Sequence, residues 1–99
     1  MSRSIGFKPS AWREFDKAIS WYERQEPGLG ARFEAEANLL LERVSANPEQ
    51  FPKVARTVSK ARGLNFPYSI YFTISREKII VIAIHHGSRD PEKLKRRLR

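Results

Sequence analysis

The chain has 99 residues, 40% of them hydrophobic and 30% charged, with no cysteine and a net charge of +8. That length is one domain's worth, expected over 1–99. The composition excludes a disordered chain, and the absence of thiols excludes disulfides, thiol catalysis and thiolate zinc sites. No apolar run approaches the ~20 residues of a membrane helix, and no apolar block opens the chain as a signal peptide would. A cytoplasmic protein with no membrane partner is expected.

Residues 3–8 place Ile5 and Phe7 on one side of an extended segment, which predicts a short strand. Pro9 and Ser10 follow, and Ser10 is the expected helix cap. From Ala11 to about Gln25, Trp12, Phe15, Ile19 and Tyr22 recur at helical spacing and are expected in the core; Trp21 lies off that stripe. Pro27-Gly28 breaks the helix. Phe33, Ala37, Leu40, Leu41 and Val44 set out a second one, ended by Asn47-Pro48. Two helices with so short a connection should form an antiparallel hairpin. Glu34, Glu36 and Glu42 read as its solvated face.

The period then changes. Residues 48–53 form a loop, and 54–64 read as one weakly patterned basic strand. After Pro67 the alternation of Ser69, Tyr71 and Thr73 with Ile70, Phe72 and Ile74 is that of a strand. Arg76-Glu77 makes a tight turn. Residues 78–84, KIIVIAI, are apolar on both faces and suit a central strand covered twice. His85 to Arg89 are expected to leave the sheet. Asp90-Pro91-Glu92 then starts a short helix or tail, with Leu94 and Leu98 on one face. The expected class is α+β, in the order β-α-α-β-β-β: a helical hairpin packed on one face of a small antiparallel sheet, with a short basic C-terminal helix.

Charge is distributed unevenly. Residues 1–50 hold seven basic and eight acidic groups, and residues 51–99 hold twelve and three. An excess of that size favours a polyanionic partner, either nucleic acid or an acidic protein segment. Lys60 and Arg62, two apart on a strand, share a face; Arg89 follows the last strand, and five more basic residues, Lys95 and Arg96 among them, end the chain. Arginine forks suit phosphate or carboxylate. In a different reading, Arg62 and Arg89 are ion-paired with Glu77, Asp90 or helix carboxylates. Adjacent histidines on a strand point to opposite faces, so His85 and His86 do not chelate one metal ion. No cofactor motif is present: Gly28 and Gly30 belong to the helix–helix turn.

Several stretches together resemble the RelE/ParE superfamily of toxins from bacterial type II toxin–antitoxin modules, which include plasmid-stabilisation toxins. They are Ala18-Ile19-Ser20-Trp21-Tyr22-Glu23, Pro27-Gly28-Leu29-Gly30 with Arg32-Phe33, and Asn47-Pro48 with Phe51-Pro52. Arg62, Phe66-Pro67-Tyr68-Ser69-Ile70-Tyr71, Val81-Ile82-Ala83-Ile84-His85-His86 and Arg89-Asp90-Pro91 continue the series. The resemblance implies a growth-inhibiting toxin silenced by a cognate antitoxin, whose acidic, partly disordered segment wraps it. Operator DNA is then met only through the antitoxin. It also implies one of two targets. RelE-like members cut mRNA on the ribosome; ParE-like members inhibit DNA gyrase and are not nucleases. The last tyrosine here is Tyr71, with none after the final strand, which departs from the RelE-like pattern, and the long hairpin is similar to the ParE side. The favoured expectation is therefore a ParE-like toxin without catalysis. The alternative is a ribosome-dependent endoribonuclease with Arg62, His86 and Arg89 as catalytic candidates. A weaker alternative is a non-toxic basic RNA-binding module. Target- or antitoxin-binding candidates are Trp21, Lys60, Arg62, His86, Arg89, Lys95 and Arg96, with Arg62, His86 and Arg89 expected to converge on one basic corner.

Overall fold

The computed structural model describes residues 2–86 and 91–98. In chain order the elements are β1 (Ser4–Phe7), α1 (Pro9–Gln25), α2 (Leu29–Ala46), a single 3-10 turn at Pro48–Gln50, β2 (Lys53–Ala55), β3 (Val58–Arg62), β4 (Tyr68–Ser75), β5 (Lys78–His86) and α3 (Pro91–Leu98). The sheet runs β1-β5-β4-β3-β2. The α+β class and the hairpin on the sheet are as the periodicities predict.

Several details differ. The sheet is mixed rather than antiparallel throughout, because β1 pairs parallel with β5, Ser4 opposite Lys78 and Phe7 opposite Val81. The basic stretch 54–64 is two strands, not one, folded back at Arg56, whose φ of 41° is left-handed. β5 runs through His85 and His86 rather than ending before them. Ser10 is not the cap of α1. The helix starts two residues earlier, at Pro9, whose fixed φ suits a first turn, and Lys8 caps it without a side-chain bond.

The hairpin connection explains its two glycines. Gly28 takes a φ of 89° at the N-terminus of α2, and Glu23 of α1 accepts hydrogen bonds from the N–H groups of Gly28 (2.9 Å) and Gly30 (3.0 Å). One carboxylate thus caps donors that the helix leaves unpaired, at its positive end. At Gly30 a Cβ would lie 2.6 Å from the Ile19 carbonyl oxygen, so only glycine allows the helices to approach this closely.

The hairpin sets Phe15, Tyr22, Phe33, Leu40, Leu41 and Val44 against Ala61, Tyr68, Ile70, Phe72, Ile79, Val81 and Ile84 of the sheet. Each fully buried large side chain there contributes about 1.5–3 kcal/mol. Trp12, expected inside, is 56% exposed; it closes the rim of this core, edge-on to Phe7 at 5.5 Å. On the opposite face Leu94 and Leu98 of α3 meet Val58, Tyr71, Ala83 and Ile82. The central strand β5 is covered twice, as its apolar sequence predicts.

A bulge decides how β5 presents its last residues. Tyr71 pairs with Ala83 but Phe72 with Val81, so Ile82 is an extra residue. The alternation shifts there, and the hairpin face receives Ile79, Val81, then Ile84 and His86. Beyond Val81, whose carbonyl accepts from Lys8 N–H (2.9 Å), β1 no longer runs alongside. Side chains cover that edge instead. Glu14 of α1 accepts the Ile84 N–H (3.1 Å), and Arg97 of α3 donates to the Ile82 carbonyl (2.8 Å). Arg97 also ion-pairs with Glu14 and donates to Ser10 Oγ (3.1 Å), tying α3 to α1 across the bulge.

Candidate functional site

The stretch of β5 beyond β1 faces α1 across a groove of about 840 Å³. From α1, Arg13, Lys17, Trp21 and Arg24 line it at helical spacing; from β5, Ile84 and His86 do. Trp21 is 48% exposed, edge-on to Tyr22 at 5.1 Å, with the His86 ring 6.3 Å away. The groove therefore combines a flat apolar platform with three cationic side chains, and Glu14 and Asp16 of the same helix also line it. Tyr22 and Tyr68 form its floor, where the hydroxyls of both approach Glu36, which burial and the loop 63–67 have taken out of the solvated face expected for it. Glu36 accepts the Asn65 N–H (2.8 Å). Burial first, and the Glu36 charge second, push both tyrosine hydroxyls above their ordinary range, so they stay protonated.

The other face of the sheet carries a second basic constellation. Ser69 of β4 stands between Arg62 of β3 and His85 of β5 in register. One pair along on β3, Lys60 lies over the Tyr71 ring, its Nζ 5.9 Å from the centroid. Same-face neighbours in register sit about 4.5–5.5 Å apart at Cβ. Among the described residues, His85 Nε2 is buried without a hydrogen-bond partner. Leu94 of α3 packs over Tyr71 and Ala83, and the Arg62–Ser69–His85 row, with Ser69 buried, lies further towards the end of the sheet.

The expected candidates are thus divided. Trp21 and His86 meet in the groove. Lys60 and Arg62 share the far face, as their spacing predicts. Arg62 and His86 lie on opposite faces, so they do not form one corner, and Arg89 lies outside the described residues. Among the described residues Arg62 has no ion pair; the paired arginines are Arg3, with Glu49, and Arg97, with Glu14. Lys95 and Arg96 are exposed on α3. Arg13, Lys17 and Arg24 went unnoticed in the sequence although their spacing places them on the Trp21 side of α1. Glu14 and Arg97, 83 residues apart, carry no such signal. Among the described residues no group of three metal-ligating side chains gathers, and no helix is long and apolar enough to cross a membrane.

Comparison with known proteins places these features. Residues 5–91 match the family model of the ParE toxin of the type II toxin–antitoxin system parDE. The fold is similar to that in the chromosomal ParDE toxin–antitoxin system of P. aeruginosa, at 15% identity and a TM-score of 0.75 over 86% of this chain and 96% of that one. It is also similar to that in the toxin–antitoxin complex RelBE2 of Mycobacterium tuberculosis, at 16% identity and a TM-score of 0.62 over 87% and 99%. No curated protein sequence gives a significant match.

Proposed function

Because the chain belongs to the ParE toxin family of type II toxin–antitoxin systems, we propose that it arrests growth by binding DNA gyrase without breaking a bond, and that a cognate antitoxin holds it silent with an acidic segment in the α1–β5 groove. The observation that carries this reading is the groove itself. Arg13, Lys17 and Arg24 line it with an exposed tryptophan. An acidic segment finds there cationic partners and a stacking surface. The non-catalytic part is supported by the separation of Arg62 from His86 and by the seating of Leu94 on the far face.

Expression of the chain without its antitoxin tests the target. Pulse labelling of DNA and protein in one culture should show replication stalling, with a DNA-damage response, while translation continues. Immediate loss of protein synthesis with cut mRNA overturns the gyrase reading.

One observation favours the second reading, a ribosome-dependent endoribonuclease. The Arg62–Ser69–His85 row with Lys60 offers cations for phosphate and an imidazole able to take up or give a proton. That nuclease would use His85 rather than His86. His85→Ala would then cost roughly 10²–10⁴ in cleavage rate, whereas a gyrase inhibitor would tolerate it.

A further inference from the structure

The two sides of the sheet differ in charge as well as in packing. All eight acidic residues of the first half fall between α1 and the 3-10 turn, on the hairpin side. Glu14, which reaches α3, is taken up by Arg97 and the Ile84 N–H. The other side carries Lys60 and Arg62 of β3, on one face in register, and Lys93, Lys95 and Arg96 of α3, all three exposed. Arg62 stands at the strand's end, where it also borders a groove beside α2. Tyr71 joins the two sets: the Lys60 Nζ lies 5.9 Å from its ring centroid, and Leu94 packs on it. Among the described residues Glu92 is the acid of α3, and Lys95 answers it at 3.7 Å. Glu77 stands in the β4–β5 turn, at the other end of β4 from Ser69 and Arg62.

Charge alone suits an acidic protein or a nucleic acid, and the rest of the face chooses between them. Protein interfaces centre on apolar or aromatic anchors. Among the described residues the exposed large hydrophobic side chains are Trp12, Trp21, Leu39, Val54, Leu64 and Ile74, and none is on β3 or α3. Single-stranded nucleic acid is held by stacking its bases on aromatic rings. Tyr71 is 7% exposed, beneath Leu94 and Lys60, so its ring is closed to a base. The backbone of a duplex needs neither feature; it needs lysine and arginine on a firm surface. α3 is such a surface, because Leu94 and Leu98 seat it on the sheet and Arg97 bonds to Glu14, Ser10 Oγ and the Ile82 carbonyl.

From this we infer that the β3–α3 face docks on the phosphate backbone of duplex DNA, with Lys95 and Arg96 of α3 and Lys60 and Arg62 of β3 on neighbouring phosphates. Such contacts position the protein without reading sequence. The inference rests on the gyrase reading above for its setting: the duplex is the one that the target itself holds, so the chain meets enzyme and DNA together. α3 stays seated in this contact, since its cations already point away from the sheet while Leu94 points into it.

Fluorescence anisotropy of the full chain with a labelled DNA duplex, free and bound to gyrase, tests it. With about four phosphates neutralised, affinity for the free duplex should fall roughly 10²-fold between about 50 and 200 mM salt. Lys95→Gln/Arg96→Gln should reduce the slope of log affinity against log salt by about 2, with an unchanged melting temperature because both side chains are exposed. Arg32→Gln/Arg43→Gln, which removes the same charge from α2 on the hairpin side, should leave the slope as it is. Gyrase carrying the duplex should hold the chain more tightly than gyrase alone, and the α3 variant should lose that gain. No binding to the free duplex at low salt, or equal affinity for gyrase with and without its DNA, overturns the inference and leaves the gyrase reading standing. An equal loss of slope in both variants also overturns it, since binding would then follow net charge rather than this face. So does tighter binding to single-stranded RNA than to the duplex. If the duplex is bound with the expected slopes but gyrase is not bound at all, the DNA-binding face stands and the gyrase reading falls.

Discussion

On one face of the sheet the hairpin buries Phe33, Phe72, Ile70, Ile79, Val44 and Val81 almost completely, while on the other Leu94 and Leu98 of α3 join a smaller cluster around Val58, Tyr71 and Ala83. The large core sums many apolar contacts and carries the cooperative stability of the chain. The small one is held by Leu94, Leu98 and the Arg97–Glu14 tie, and stability of that kind is local. The basic groups follow the same division. Those on α1 stand on a rigid helix backed by the large core, whereas those on α3 belong to the element that opens first. The difference teaches that binding through α1 needs no loosening of the fold, while any use of the sheet face over Tyr71 requires α3 to move.

The sharpest break in this contrast is Phe33→Ala. It should cost about 3–5 kcal/mol and lower the denaturant midpoint of the whole chain. Raising the pH should act next, again on the whole fold. All three tyrosines, Tyr22, Tyr68 and Tyr71, have hydroxyls whose pKa burial raises in the folded state. Their stabilisation is complete below the unfolded value of about 10 and is lost as pH climbs from there through the folded values, by up to about 1.4 kcal/mol per group per pH unit. Tyrosinate absorbance should therefore appear together with unfolding, and Tyr68→Phe should make that loss shallower.

Leu94→Ala tests the smaller face. The cost should lie near the lower end of the ~2–5 kcal/mol for a buried leucine, and it should appear as local opening: faster tryptic cleavage after Lys95 and Arg96, with hydrogen exchange in β4 unchanged. A global loss as large as that of Phe33→Ala would erase the distinction between the faces. Arg97→Ala should cost about 1 kcal/mol or less, because the pair with Glu14 is partly exposed, yet hydrogen exchange at the Ile84 amide should rise. Arg62→Ala is the smallest, within about 0.5 kcal/mol in stability, but growth inhibition or antitoxin affinity should fall. A lowered melting temperature with full activity would remove Arg62 from the site.

Much of the architecture is legible in local pattern. The stripes from Phe15 to Tyr22 and from Phe33 to Val44, the alternation from Ser69 to Ile74 and the two-sided apolar run of β5 each report a period that the backbone imposes within a few residues. Half of the candidate site is legible for the same reason: Trp21 lies off the apolar stripe, and Lys60 and Arg62 are two apart on one strand. The other half depends on how β5 is built. Without the extra residue at Ile82, His85 would face the hairpin and His86 the side of Arg62, which is what simple alternation predicts and the bulge reverses. Glu36 shares its helix face with no obvious partner in the sequence; only the loop 63–67 brings the Asn65 N–H to it and leaves it half-buried.

By itself the sequence determined the hairpin, the α+β class, the order of elements apart from the split of 54–64 into two strands, the excess of positive charge and the toxin family, because all of these are written in short-range periodicity, composition and ordered motifs. Tertiary structure alone decided that β1 joins β5 in parallel, that a bulge exchanges the faces of the two histidines, that Trp12 remains at the rim, and that Arg97 closes the β5 edge with Glu14. Each of those depends on a contact between residues far apart in the chain. The free energy of such a contact comes from burial and hydrogen bonding that exist only once the whole core has formed.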